Sequence, residues 1–210
     1  MSIPGTDSAE TLRLLGEVRV GQPGALDQLL ARHRPYLRQL VGLRFDPPLR
    51  ARVDPSDVVQ EAQIEAVRRL SHYLEQPALP FRLWLRQIAH DRLLMVRRQH
   101  LGAACRTVAR DVSLPDRSSL ALARQLLAPG SSPSEQLSRR ELTQRVHQAL
   151  AQLPDADREV LLMRNFEGLS NQEVAQVLRI NPGAASQRYG RALLRLRQIL
   201  LTDNPVEAQP

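Results

Sequence analysis

Lysine is absent from this chain of 210 residues, and cysteine occurs once, as Cys105. A single cysteine excludes an internal disulfide and any metal cluster held by several thiolates of one chain. There is no stretch of 18 apolar residues, so we expect no membrane-spanning helix. The first ten residues lack a charged start followed by an apolar run. We therefore expect no signal peptide and a cytoplasmic location.

Strand signals are also scarce. Aromatic residues make up 3% of the chain, and no run of β-branched residues alternates with polar residues. Apolar residues recur instead at helical spacing through most of the sequence. We therefore predict an all-α fold.

Motifs of catalytic sites are missing as well. The five histidines form neither an HExxH motif nor a paired metal-ligand spacing, and there is no glycine-rich phosphate loop and no GxSxG. We predict that the protein is not an enzyme and that it binds no metal, cofactor or small-molecule substrate.

Positive charge is the feature that the chain has in excess. All 29 basic residues are arginine, and the net charge is +7. The two predicted domains are both basic, +5 over residues 25–101 and +3 over residues 135–201, the segment 102–134 between them carries +2, and both ends are slightly acidic. Arginine suits bidentate contacts to phosphate and guanine, although a GC-rich genome would produce the same preference. A polyanion such as DNA is the partner that this charge predicts.

Proline, glycine and serine mark the expected domain boundaries. They are frequent between residues 102 and 134, which is typical of a linker. We predict two small helical domains joined by this flexible linker. The predicted segments are an N-terminal lead (1–23), a first domain (24–101), the linker (102–134), a second domain (135–201) and a tail (202–210).

The second domain has the pattern of a helix-turn-helix. Asp155 can cap a helix from Ala156 to Phe166, and Gly168 can end that helix. Ser170 and Glu173 form a capping box for a short helix that ends near Leu178. Asn181 can cap the last helix, with Pro182 at its first position.

The last helix is amphipathic and basic. Residues 183–200 carry four arginines and no acidic residue. Arg188, Arg191 and Arg195 lie together on the flank of its apolar sector. This pattern favours a recognition helix in contact with DNA. The alternative is a surface helix whose arginines are solvated or paired, for example Arg188 with Glu173.

Two helices of the first domain carry opposite charges. The segment Asp54–Leu70 has a well-capped start and an acidic and amide face outside its apolar stripe. The segment Phe81–Gln99 has arginines and a histidine mostly outside its stripe. We expect the first helix to meet a basic partner and the second to meet DNA.

These blocks together resemble the extracytoplasmic-function (group IV) sigma factors of bacterial RNA polymerase, within the sigma-70 family. The resemblance covers residues 22–101 and 135–201, in the order expected of that family. It implies region 2 in the first domain, which binds the polymerase clamp and opens the minus-ten promoter element. It implies region 4 in the second domain, which reads the minus-thirty-five element. The partners implied are core RNA polymerase (clamp and flap), promoter DNA and an anti-sigma factor.

The resemblance also assigns residues. The core-binding residues would be Asp57, Gln60 and Glu61. The loop 74–80 would accept a base flipped out of the non-template strand. The minus-ten contacts would be Arg82, Arg86, His90, Arg97 and Arg98. The minus-thirty-five contacts would be Pro182, Gly183, Ser186, Gln187, Arg188 and Arg191.

A second interpretation stays open from the residues themselves. A stand-alone helix-turn-helix regulator would bind duplex DNA through its C-terminal domain and use residues 1–101 for sensing or dimerisation. The basic N-terminal domain argues against it. The two interpretations differ in whether promoter binding requires core polymerase.

Overall fold

The computed structural model describes residues 7–45, 47–101, 122 and 137–202. The chain divides into two compact units, Met1–Thr107 and Val108–Pro210. The elements in the described ranges are all helical, which confirms the predicted all-α class. No helix in these ranges is long and apolar enough to cross a membrane. Apart from Leu122, the predicted linker lies outside the described residues, as does Cys105.

The first unit contains five helices within its described residues. They are α1 (Ala9–Arg19), α2 (Ala25–Gly42), α3 (Pro47–Arg50), α4 (Pro55–Glu75) and α5 (Phe81–Leu101). Asp54 caps α4 as predicted, because its Oδ1 accepts a hydrogen bond from the Ser56 N–H at 2.7 Å. Pro35 lies inside α2 without splitting that helix. The short helix α3 was not predicted.

The core of the first unit forms where α5 packs against both α2 and α4. Most of the apolar positions that we predicted for α4 and α5 are buried there, among them Val58, Leu85 and Leu93. Val67 is an exception: it lies on the apolar stripe of the segment Asp54–Leu70, yet it is 42% exposed. At one end of the core, the Tyr73 and Trp84 rings stack at 4.5 Å.

Helix α1 shares this core, although the predicted boundary at residue 24 leaves it out. Leu14 and Leu15 are buried in the same cluster as the residues of α2, α4 and α5. The Asp7 carboxylate accepts hydrogen bonds from the backbone N–H groups of Phe81 at 2.6 Å and Arg82 at 3.1 Å. It therefore caps α5 from a distance of more than 70 residues in sequence, a contact that local patterns cannot reveal.

The second unit contains the helix-turn-helix. Its described elements are α6 (Leu137–Gln152), α7 (Asp155–Leu161), a π-helical segment (Leu162–Phe166), α8 (Asn171–Leu178) and α9 (Pro182–Thr202). Helix α9 packs against α6, α7 and α8. Ala185, Ala192, Leu196 and Leu200 form its buried stripe, as predicted.

The predicted helix from Ala156 to Phe166 differs from the observed segment in two ways. Asp155 is the first helical residue rather than the cap, and its carboxylate pairs with Arg158. From Leu162 the backbone widens into a π-helix, in which the Glu167 N–H donates to the Leu162 carbonyl at 2.9 Å. Gly168 then ends the segment with a φ of 68°, as predicted.

His33 makes the stability of the first unit depend on pH. Its ring is buried between α1 and α5 and shares a hydrogen bond of 3.2 Å with the Thr11 hydroxyl. Burial, with smaller contributions from Arg32 and Arg82, lowers the pKa of His33 to about 4. The unfolded chain therefore takes up a proton near pH 6.5 that the folded unit excludes. Stability should fall as the pH drops below this value.

We expect the first unit to lose about 1 kcal/mol of unfolding free energy between pH 7.5 and 5.5 through His33 alone. Urea unfolding followed by the fluorescence of Trp84, the single tryptophan, measures this loss. His33→Gln should remove that part of the pH dependence. An equal pH dependence in both proteins would contradict the assignment.

Candidate functional site

The start of α9 is fixed by side chains on both sides of the turn that precedes it. Asn181 Oδ1 accepts a hydrogen bond from the Ala184 N–H at 2.7 Å, so Asn181 caps α9 as predicted. Asn171 Nδ2 donates to the Pro182 carbonyl at 2.8 Å, which ties the start of α8 to the start of α9. The capping box of Ser170 and Glu173 is present as predicted. The two helices of the helix-turn-helix are thus held in a defined arrangement.

A polar network holds α9 against the π-helical segment. The Tyr189 hydroxyl donates to Asn165 Oδ1 at 3.2 Å, and Asn165 Nδ2 donates to the Leu161 carbonyl at 3.1 Å. The Arg164 guanidinium lies over the Tyr189 ring at 5.3 Å and donates to the Leu169 carbonyl at 2.7 Å. The π-turn places Arg164 and Asn165 toward α9, so its geometry contributes to the orientation of that helix.

The predicted minus-thirty-five residues lie together on the first three turns of α9. Pro182, Gly183, Ser186, Gln187 and Arg191 are exposed, and Arg188 is half-buried. The predicted alternative pairing of Arg188 with Glu173 does not occur. Glu173 Oε2 accepts the Ser170 N–H at 2.7 Å instead. This face offers two guanidinium groups and short polar side chains on a fixed helix.

Arg195 has a structural partner that the sequence pattern did not reveal. Its guanidinium pairs with the carboxylate of Asp157 on α7. The Asp157 side chain is only 10% exposed. This pair joins α9 to α7, so Arg195 contributes a contact within the second unit although 55% of its side chain is exposed.

Arg179 occupies the turn between α8 and α9 in the left-handed conformation, with φ 54° and ψ 44°. This backbone conformation is about 1–2 kcal/mol less favourable in free energy for a residue with a Cβ atom than for glycine. The sequence pattern identified the turn but not this conformation.

The predicted core-binding residues lie on the solvent side of α4. Asp57 and Gln60 are exposed, and Glu61 is partly exposed. Glu61 Oε2 accepts a hydrogen bond from Arg92 Nε of α5 at 2.5 Å. The Arg92 guanidinium holds the pKa of this carboxyl below its usual range. The three residues therefore share one face, and one of them is already tied to α5.

A shallow groove continues this face between α4 and α5. Glu61 and Arg92 lie at its wall, and it exposes two large apolar side chains, Ile64 at 53% and Met95 at 45%. Apolar periodicity is a property of one helix at a time. It therefore could not predict that Glu61 and Ile64 of α4 meet Arg92 and Met95 of α5 across a groove.

The predicted minus-ten face of α5 needs correction. Arg86 is only 3% exposed and lies inside the unit. Arg82, His90 and Arg97 are half-buried, and only Arg98 is exposed. Because α2 and α4 both cover α5, its exposed stripe runs through Gln87, Asp91 and Met95 to Arg98, and it shares only Arg98 with the predicted set.

A cleft of about 350 Å³ lies beside the loop 76–80, between that loop and α1. The Tyr73 hydroxyl donates to the Leu79 carbonyl at 3.0 Å, which fixes the loop. Burial raises the pKa of Tyr73 to about 12, so this hydroxyl keeps its proton. Most of the cleft wall is apolar, with Arg19 and Asp7 at its edge. No group of three histidine, cysteine or acidic residues in the described part of the chain could hold a metal ion.

Comparison with known proteins identifies the family. Residues 143–196 match the family model for sigma-70, region 4. The chain is 31% identical to RNA polymerase sigma-H factor of Pseudomonas aeruginosa over 181 residues, which are 86% of this chain and 88% of that protein. It is 30% identical to RNA polymerase sigma factor CnrH of Cupriavidus metallidurans, over 91% of this chain and 94% of that one.

A solved structure shows the same architecture. The structure of CnrH in complex with the cytosolic domain of CnrY superposes with a TM-score of 0.61 and 26% identity, covering 94% of this chain and all of that one. The chain belongs to the extracytoplasmic-function group of sigma-70 factors and is an RNA polymerase sigma factor.

The Arg195–Asp157 pair leads to a stability prediction. Arg195→Met should lower the unfolding free energy of the second unit by about 1–3 kcal/mol, because Asp157 would be left without its partner in a poorly hydrated place. Thermal unfolding followed by circular dichroism measures the loss. Arg197→Met is the matched control, since Arg197 is exposed on the same helix, and it should change stability by less than about 0.5 kcal/mol. Equal effects of the two substitutions would contradict the role of the pair.

Proposed function

We propose that this sigma factor divides promoter recognition between its two units. The first unit docks on the clamp of core polymerase and opens the minus-ten element. The second unit docks on the flap and reads the minus-thirty-five element through α9. The observation that carries the proposal is the exposed face on the first turns of α9, on a helix fixed by Asn181, Asn171 and Tyr189. A recognition helix needs both exposure and a fixed orientation.

Core binding is assigned to Asp57, Gln60 and Glu61. An acidic and amide face on a well-capped helix suits a basic helical surface on the polymerase. The adjoining groove with Ile64 and Met95 supplies apolar area, so the two features together fit a protein partner.

Minus-ten binding is assigned to the flank of α5 and to the cleft at loop 76–80. Arg98, Arg82, His90 and Arg97 remain the proposed contacts, whereas the buried Arg86 is no longer one. The apolar cleft suits a base that has left the stack, and trapping such a base favours strand opening without any catalytic step.

The protein would therefore act in the cytoplasm as a non-enzymatic initiation factor. Membership of this family implies an anti-sigma factor as a further partner, which we also propose. Among similar proteins, CnrH is known in complex with the cytosolic domain of CnrY.

In vitro transcription tests the proposal. Purified core polymerase with the full chain should produce transcripts from a subset of a randomised promoter library, and core polymerase alone should not. If instead the chain represses transcription or leaves it unchanged while binding promoter duplex without core, the stand-alone regulator is the better description.

The docking face is tested by charge reversal. Asp57→Lys with Glu61→Lys should weaken core binding by at least about tenfold, because like charges would then meet across the interface. Binding of labelled chain to core polymerase at physiological salt measures the change.

Asp27→Lys is the matched control for this experiment. Asp27 is exposed in the first turn of α2, as Asp57 is in the first turn of α4. The control should bind core as the wild type does, and both proteins should keep their helical circular dichroism. Wild-type affinity of the double variant would remove these residues from the interface.

Base recognition is tested at Arg188. If its guanidinium binds guanine, Arg188→Ala should weaken the free energy of promoter binding by about 1–3 kcal/mol and relax the base preference at one promoter position. Library transcription at two salt concentrations distinguishes this from a phosphate contact, which would weaken all sequences alike. An unchanged sequence profile and salt dependence together would place Arg188 outside the DNA interface.

A further inference from the structure

Arg179 adopts a backbone conformation that glycine would adopt without strain. Its φ of 54° lies in the left-handed region. Within residues 7–45, 47–101 and 137–202 it is the only residue other than glycine with a positive φ. The geometry of the turn therefore gives no reason for an arginine at this position.

Contacts with the described residues of the second unit give no reason either. Arg179 is exposed, and its side chain makes no hydrogen bond or ion pair with the side chains described in residues 141–202. Its backbone N–H donates to the Gln176 carbonyl at 3.2 Å, which helps to end α8. A glycine would donate the same bond. The arginine adds only a long cationic side chain in solvent.

The position of the turn suggests what this cation meets. Arg179 precedes the first residue of α9, Pro182, by three residues, which span at most about 10 Å. In a helix-turn-helix, the start of the recognition helix enters the major groove and the preceding helix crosses the DNA backbone. Phosphates at the edge of the groove therefore pass close to this turn.

We propose that Arg179 is a further DNA contact and that its guanidinium binds a backbone phosphate beside the groove that α9 enters. Residues in strained backbone conformations cluster at functional sites, and Arg179 places a cation where glycine would be less strained. This inference rests on the proposed role of α9 in reading the minus-thirty-five element.

Three substitutions separate charge from conformation. Arg179→Gly removes both the charge and the strain. Arg179→Asn removes the charge, and asparagine tolerates the left-handed region well. Arg179→Lys keeps the charge and is the matched control. Each full-length variant is combined with core polymerase and the promoter duplex that the wild-type holoenzyme selects best from a random library.

Loss of one phosphate contact should weaken binding of the Gly and Asn variants by about fivefold near physiological salt and reduce the salt slope by about 0.9. Base preference should stay unchanged, since phosphate contacts carry no sequence information. Arg179→Lys should bind within about twofold of the wild type. Arg179→Gly should also raise the unfolding midpoint of the second unit by about 4–8 °C. A purely structural residue would not give opposite changes in stability and DNA affinity.

Wild-type affinity and salt slope in the Gly and Asn variants would overturn the inference. If Arg188→Ala lost affinity in the same assay, the proposed role of α9 would stand without Arg179. If neither Arg179 nor Arg188 variants lost affinity, the assignment of α9 itself would fail. A loss in Arg179→Lys as large as in Arg179→Asn would also overturn the inference, because an ammonium group satisfies a phosphate as a point charge.

Discussion

The packing of α5 against both α2 and α4 is the constraint on which the first unit depends. Two covered sides leave α5 a narrow exposed stripe, so Arg86 is buried although its residue type favours the surface. The same packing brings Arg92 to Glu61 and so links the helix assigned to DNA with the helix assigned to core polymerase. It also places the start of α5 beside Asp7, which makes α1 a part of this arrangement.

In the second unit, the structure has to hold the recognition helix in place and leave part of it exposed. Helix α9 has to bury one stripe against three neighbouring helices and keep its first turns available to DNA. Asn181 and Asn171 fix where the helix begins, and Tyr189 and Asn165 fix how it lies on the π-helical segment. The Arg195–Asp157 pair adds a contact further along the helix. The residues that orient α9 are thus different from the residues on its exposed face.

Local patterns in the sequence were sufficient for most of the fold. The caps at Asp54, Ser170 and Asn181 predicted where three helices begin, since a cap depends on residues within one turn. Contacts between distant residues were not predictable from such patterns. The Asp7 cap on α5 is one example, and so is the burial of Arg86, which depends on which neighbours cover a helix. The π-turn was missed because its apolar spacing resembles that of an α-helix. For the site, the sequence predicted the exposed face of α9 well and the face of α5 poorly.

Strand opening tests the central claim most directly, because a sigma factor acts through core polymerase and a stand-alone regulator does not. Permanganate reactivity of unpaired thymines in the minus-ten element can be measured with the chain alone, with core polymerase alone and with both. We expect reactive thymines only when the chain and core polymerase are present together, and weak duplex binding by the chain alone at physiological salt. Tight, sequence-specific duplex binding by the chain alone, with no opening when core polymerase is added, would contradict the account.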